Sequence, residues 1–205
     1  MNVHHIALCT LWLVLSAFGF SYLWSFTSAE GDQGAPSVAW PSDSLIPRQS
    51  GLPMLVMLAH PRCPCTLASI RELDRLMAQC GERLRASVLF YKPDGAPEEW
   101  AMTESWEHAA AIPGVSVLSD ENGEEAGRFG AVTSGQVAVY SGTGALLFRG
   151  GITAGRGHSG DNYGRSAIAD LVRGVEGTRA TTPVFGCSIT GYARHPESAP
   201  GEDQR

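Results

Sequence analysis

The chain has 205 residues, and 43% of them are hydrophobic, which is enough for one globular domain with a core. Its formal net charge is −6, and it has no zinc-finger spacing, basic helix or aromatic RNA-binding motif. These features exclude wholesale disorder and argue against nucleic-acid binding. The five cysteines are too few and too scattered for a disulfide scaffold, and their odd number prevents complete pairing within the chain.

An uncharged apolar run from Ile6 to Phe26 opens the chain. As a helix it would be about 30 Å long, which matches the hydrocarbon thickness of a bilayer. We predict a membrane anchor over residues 1–26. A cleaved signal sequence is the alternative, but the run is long for one and no Lys or Arg precedes it. The short N-terminal tail predicts a single-pass protein with its domain outside the cytoplasm, on the periplasmic side.

The first elements of the domain follow a segment without periodicity. Residues 27–50 are rich in Ser, Pro, Gly and Asp, which predicts a linker. The apolar run at 52–59 has the length of a strand buried on both faces. Apolar residues at three- and four-residue steps then predict a helix from about Pro64 to Arg85, with Cys80 on its buried face.

The rest of the domain alternates in the same way. The predicted elements are strands at 87–91 and 115–118, hairpin strands at 136–141 and 146–149, and helices at 97–111, 124–129 and 163–173. This order predicts an α/β fold over residues 51–189, a mixed sheet with helices on both faces, preceded by one transmembrane helix. The polar residues 190–205 predict a flexible tail.

The sequence Cys63-Pro64-Cys65 falls between the first strand and the longest helix of the domain. With Pro64 as the first helical residue, Cys63 would be the N-cap, where free amides and the helix dipole stabilise a thiolate. We therefore predict that Cys63 is the nucleophile and that Cys65 resolves a mixed disulfide. His60 either adds positive charge or hydrogen-bonds the turn, and the second role is favoured. A buried inert pair and a permanent disulfide are the alternatives, but so small a disulfide ring favours strain and ready reduction.

Two further segments carry residues with reactive side chains. The glycine-dense stretch 150–164 includes Arg156 and His158 but matches no phosphate-binding fingerprint, so a surface loop is the simpler interpretation. Cys187 follows the last helix in a segment with Val184 and Phe185. If that segment packs on the domain, Cys187 becomes a second resolving thiol or a third soft ligand; a half-exposed free thiol is the equal alternative.

The order of elements and the Cys-Pro-Cys turn resemble the thioredoxin-like superfamily. Within it the chain is most similar to the small bacterial RedB-like group, in the segments 60–66, 133–135, 150–162 and 182–187. The resemblance implies that the glycine-dense stretch folds near the dithiol, with His158 as a proton carrier or ligand. Two departures from the superfamily pattern bear on general reductase activity. Arg62 stands where the first cysteine of Cys-X-X-Cys would fall, and Ser134-Gly135 stands where a cis-proline normally faces the dithiol.

These residues predict a membrane-tethered extracytoplasmic thiol–disulfide oxidoreductase that acts on protein thiols or disulfides without a cofactor. Its catalytic residues would be Cys63, Cys65 and Cys187. The alternative is a copper-binding or metal-site assembly protein, since soft thiolates select Cu(I) and a histidine could complete the site. A peroxidase of peroxiredoxin type is less favoured, because none of residues 54–62 is the Thr that its pattern places before the reactive Cys.

Overall fold

Five helices and five strands make up the part of the chain that the structure, a computed structural model, describes: residues 3–175 and 177–189. The tail predicted at 190–205 lies outside these residues. In chain order the elements are α1 (Val3–Ser28), β1 (Met54–Ala59), α2 (Thr66–Cys80), β2 (Arg85–Lys92), α3 (Glu104–Ala110), β3 (Val115–Glu121), α4 (Glu124–Arg128), β4 (Gln136–Tyr140), β5 (Leu146–Gly151) and α5 (Tyr163–Arg173).

The strands form one mixed sheet in the order β3-β2-β1-β4-β5. Strands β1, β2 and β3 are parallel, whereas β4 runs antiparallel to both β1 and β5. All residues of β1 are buried, as its continuous apolar sequence predicts for a central strand covered on both faces. The predicted mixed sheet is therefore confirmed.

Alternate residues of β1 face two different apolar clusters. Leu55 and Met57 belong to the cluster that packs on α2, α3 and α5. Val56 and Leu58 belong to the opposite cluster, where Phe129 follows α4. Because side chains alternate along a strand, one apolar run supplies both cores.

The start of α2 differs from the prediction. The helix begins at Thr66, two residues later than expected, because the backbone of residues 63–66 forms a turn in which the Thr66 amide donates to the Cys63 carbonyl (3.0 Å). The helix predicted at 97–111 is also divided. A short 3₁₀ turn, Glu98–Trp100, is separated from α3 by Thr103, whose backbone is extended (φ −102°, ψ 176°).

The segment expected to be a linker packs along the domain for much of its length. The Gly31 amide donates to the Val184 carbonyl (2.8 Å), and the Trp40 ring packs edge-on against Phe129 (5.1 Å between centroids). Ile46 is 3% exposed. The free connection between α1 and the domain is accordingly only a few residues long.

Helix α1 extends the predicted apolar run by a few residues at each end. It contains 26 residues and is long and apolar enough to cross a membrane, a test that a signal sequence near the N-terminus also passes. None of its residues is buried by the rest of the described chain. Its apolar side chains, Cys9 among them, are therefore available to lipid.

Candidate active site

The turn between β1 and α2 is fixed by the side chains of Thr66, at the start of α2, and Ser134, from a distant part of the chain. The Cys63 amide donates to the His60 carbonyl (3.1 Å), and so does the Thr66 hydroxyl (2.8 Å). Ser134, just before β4, accepts from the His60 amide (2.9 Å) and lies 2.9 Å from the Thr66 hydroxyl. Ser134 thus bridges the two ends of the turn and holds it against the sheet.

The structure brings the three cysteines predicted as catalytic residues together. Cys63 is 3% exposed and Cys65 7% exposed, and Cys187 is half-buried. Hydrogen bonds from the thiols of Cys187 and Cys65, and from the amides of the same two residues, lower the pKa of Cys63 far below that of an ordinary thiol, although burial opposes the shift.

The neighbouring thiol shifts in the opposite direction. Hydrogen bonding to Cys187 and Cys63, together with burial, raises the pKa of Cys65. Of these two thiols, Cys63 therefore carries the negative charge, and Cys65 stays protonated as a donor. This arrangement differs from the predicted one. The charge on Cys63 is stabilised chiefly by other thiols, and the amides of the first turn of α2 are not its main donors.

Cys187 reaches the turn because its segment pairs with the residues that precede β4. The Ser134 amide donates to the Cys187 carbonyl (2.9 Å), and the Ile189 amide donates to the Val132 carbonyl (2.9 Å). A side chain at Gly186 would overlap the carbonyl oxygen of Ser134, so only glycine allows this approach. We call residues 184–189 the C-terminal strap.

An aromatic cluster lies behind the turn. The His60 ring is 1% exposed, stacks on Tyr91 (5.6 Å between centroids) and meets the edge of Trp100 (5.8 Å). Burial lowers the pKa of His60, so the ring is neutral. Its Nδ1 accepts from the Arg62 amide (3.2 Å), which confirms the interpretation that His60 hydrogen-bonds the turn. The Arg62 guanidinium lies over the Trp100 ring (4.6 Å).

The glycine-dense loop is organised around Glu72, a carboxylate on α2. Glu72 is fully buried and accepts from the Ser159 hydroxyl (2.7 Å) and the Gly160 amide (2.7 Å). It also accepts from Asn162 (3.1 Å) and pairs with Arg165 (3.1 Å). Glu72 is buried because this loop covers its face of α2. The sequence of α2 alone does not predict that burial.

His158 lies on the outer side of the same loop. It is exposed, its Nδ1 is 3.4 Å from the Arg156 carbonyl, and with Trp24 and Ser28 it lines a small pocket at the end of α1. The surroundings of His158 are those of a surface loop, which was the simpler of the two interpretations of this stretch. A role for His158 as proton carrier or ligand stays a prediction.

The remaining thiol of the domain is a core residue. Cys80 is 8% exposed within the cluster under α2, and burial raises its pKa, which confirms its predicted place on the buried face. Across residues 3–175 and 177–189, no group of three or more His, Cys, Asp or Glu side chains is arranged to hold a metal ion.

The chain matches no protein-family model and none of the curated proteins. Among solved structures it resembles a hypothetical protein of Sinorhizobium meliloti, with TM-score 0.57 and 20% identity over 78% of this chain and 93% of that one. It also resembles an uncharacterized conserved protein of Geobacillus kaustophilus, with TM-score 0.55 and 19% identity over 83% and 94% of the two chains. A secreted disulfide oxidoreductase of Mycobacterium tuberculosis matches more loosely, with TM-score 0.44 and 13% identity over 61% and 83%.

These similarities are similarities of fold. The five-stranded mixed sheet, with three parallel strands, an antiparallel hairpin and helices on both faces, is thioredoxin-like. Membership of the superfamily that the sequence resembles stays a prediction.

Proposed function

We propose that the protein is a membrane-tethered, extracytoplasmic thiol–disulfide oxidoreductase that acts on protein disulfides or thiols and needs no cofactor. The observation that carries the proposal is the convergence of three thiols at the start of α2, with a pKa at Cys63 lowered by its two neighbours. A thiolate is the nucleophile of disulfide exchange. The predicted similarity to the RedB-like group is part of this proposal and adds no activity of its own.

The reaction needs two exchange steps. The Cys63 thiolate attacks one sulfur of a substrate disulfide, which forms a mixed disulfide and releases the other sulfur as a thiolate that takes up a proton. A second protein thiol then loses its proton and attacks the Cys63 sulfur, which releases the second substrate thiol. The substrate gains two electrons and two protons, and the protein is left with one disulfide. A dithiol reductant returns it to the starting state, and the reverse sequence oxidises a substrate dithiol.

Two thiols compete for the second step. Cys65 is close in sequence, but a ring closed across one residue departs from relaxed disulfide geometry. Cys187 comes from a separate segment, is the most exposed of the three, and makes the largest contribution to the lowered pKa of Cys63. We therefore favour Cys187 as the resolving thiol, with Cys65 as the hydrogen-bond donor that keeps the charge on Cys63.

The test is the pH profile of alkylation. We expect the rate at Cys63 to stay nearly constant between pH 9 and pH 6, whereas the rate at an ordinary thiol falls about tenfold per pH unit below its pKa. Cys63→Ser should remove the pH-independent component. In Cys187→Ala the profile should shift upward in pH, because the main donor to the Cys63 sulfur is lost. A Cys63 profile like that of a free thiol would refute the proposal.

The second candidate is a copper-binding or metal-site assembly protein, because thiolates are soft ligands for Cu(I), although no three His, Cys, Asp or Glu side chains of residues 3–175 and 177–189 are arranged to hold a metal ion. It has less support than the redox proposal, since His158 lies at the end of α1 and the Nδ1 atom of His60 already accepts from the turn. Metal analysis after anaerobic purification separates the two candidates. Stoichiometric copper that is lost in Cys63→Ser would favour the metal-handling function.

A further inference from the structure

The candidate active site lies only a short distance along the chain from the end of α1. Helix α1 ends at Ser28, and three residues later the Gly31 amide donates to the Val184 carbonyl (2.8 Å). The next carbonyl, that of Asp32, accepts from the Thr133 hydroxyl (2.5 Å). The chain that leaves α1 is thus bonded directly to the C-terminal strap and to the residue next to Ser134.

The distance from the helix end to the thiols is correspondingly small. A Cβ atom at Gly31 would lie 3.4 Å from the carbonyl oxygen of Gly186, which immediately precedes Cys187. Three residues span at most about 11 Å, so Cys187 lies within about 20 Å of the last residue of α1. The other two thiols hydrogen-bond to Cys187 and share this position.

The direction in which α1 leaves the domain is fixed by a second contact. The backbone amide of Arg156 donates to the Thr27 carbonyl (3.0 Å), and the side-chain Nε of Arg156 donates to the Ala29 carbonyl (3.1 Å). Its guanidinium also lies 5.4 Å from the Phe26 ring centre. The last carbonyls of a helix lack partners within the helix and favour a basic side chain, so Arg156 caps α1 and joins it to the glycine-dense loop.

We propose that the domain sits on the bilayer surface with its thiol site next to the lipid headgroups, and that its substrates are disulfides or dithiols of polypeptide segments held at that surface. This inference rests on the proposed function and on α1 crossing the membrane. The apolar run ends near Phe26, and the headgroup layer adds only about 5–8 Å on each side of the hydrocarbon. The packed segment after Gly31 leaves no slack with which the domain could reach a distant partner.

The experiment uses the full chain, in a Cys9→Ala background, in phosphatidylcholine nanodiscs. One probe is a phosphatidylethanolamine whose headgroup carries a pyridyl disulfide on a short spacer, and the second has the same group on a long polyethylene glycol spacer. A water-soluble pyridyl disulfide is the third. In each reaction the Cys63 thiolate attacks the probe, a mixed disulfide forms and pyridine-2-thione leaves, and its absorbance gives the rate.

A site next to the headgroups should react with the short-spacer lipid as fast as with the long-spacer lipid, to within about threefold, because both then reach a similar effective concentration. Arg156→Gln loosens the cap on α1 and should lower the short-to-long rate ratio by about tenfold while the soluble probe reacts unchanged. Arg173→Gln, an exposed position on α5, is the matched control and should alter neither rate.

The possible failures are distinguishable. If the long-spacer lipid reacts more than about tenfold faster than the short-spacer lipid in the unaltered protein, the site faces away from the bilayer and the inference is wrong. If the soluble probe also reacts no faster than with an ordinary thiol, the proposed function itself fails. The soluble-probe rate of Arg156→Gln reports whether that variant is folded, and an unchanged rate ratio in a folded variant counts against the cap.

Discussion

The Cys63–Thr66 turn and the glycine-dense loop 150–164 both carry many reactive side chains, yet they use them in opposite ways. The two thiols of the turn and Cys187 of the C-terminal strap hydrogen-bond to one another, and the result is a stabilised charge on the Cys63 sulfur. In the loop, the polar groups converge on the buried Glu72 and on carbonyls at the end of α1. In a reactive site, the reactive atoms face each other. In the loop, polar side chains face backbone carbonyls or one carboxylate, and these contacts stabilise the fold.

The sharpest way to break this comparison is to remove the thiolate. Cys63→Ser should lower the rate of exchange with a soluble disulfide at pH 7 by more than about 100-fold, because it removes the thiolate and the pKa of the neighbouring Cys65 is raised. Cys80→Ala is the matched control, since Cys80 is a core thiol with a raised pKa, and the exchange rate should be retained. Equal losses in the two variants would show that general destabilisation is responsible.

The loop should instead respond through stability. Glu72→Gln leaves the buried end of Arg165 without its countercharge and should lower the free energy of unfolding by about 3 kcal/mol, measured by urea denaturation. Glu82→Gln, on the exposed turn after α2, should change it by less than about 0.5 kcal/mol. The pH profile of Cys63 alkylation should be unaltered in folded Glu72→Gln. A shifted profile would mean that the loop and the turn are coupled.

The strap can be displaced without removing a thiol. In Gly186→Ala the added methyl group would overlap the carbonyl oxygen of Ser134, so the strap must move. Cys187 then loses its hydrogen bond to the Cys63 sulfur. The pKa of Cys63 should rise, and its alkylation rate near pH 6 should fall by about tenfold or more. Gly127→Ala is the control, because a Cβ there meets no atom within 4 Å. If Gly186→Ala reacts like the unaltered protein, Cys65 alone maintains the thiolate.

The smallest effect is expected at His158. Its side chain is exposed at the end of α1, so His158→Ala should change the exchange rate with a soluble disulfide by less than about twofold. A loss comparable to that of Cys63→Ser would restore the role implied by the family resemblance and would place the loop with the turn as part of one site.

Long patterns in the sequence predicted the elements well. The apolar run at 52–59 identified β1, and the three- and four-residue steps identified α2 and α5, the latter with its observed bounds. The divided helix at 97–111 was missed although Thr103 is a residue type favoured at N-caps. The packed segment at 27–50 was missed because its composition is that of a linker. Its isolated Trp40 and Ile46 were the available signal.

The details of the site depended on contacts that are distant in sequence. The sequence predicted Cys63 and Cys65 as site residues from their spacing and their place between a strand and a helix. The pairing that brings Cys187 to them joins residues 132–134 to residues 187–189. The burial of Glu72 follows from a loop more than 80 residues later. A helical pattern reports which side chains share a face, and it cannot report what will cover that face.

The stacking of Arg62 on Trp100 gives the protein an intrinsic optical signal. Arg62 lies between His60, which meets the edge of the same indole, and Cys63, which carries the negative charge. When the Cys63 thiolate becomes a disulfide, one charge disappears next to the guanidinium, and the electric field across the indole changes. The emission of Trp100 should therefore shift during turnover, so that oxidation can be followed by fluorescence in real time without a dye.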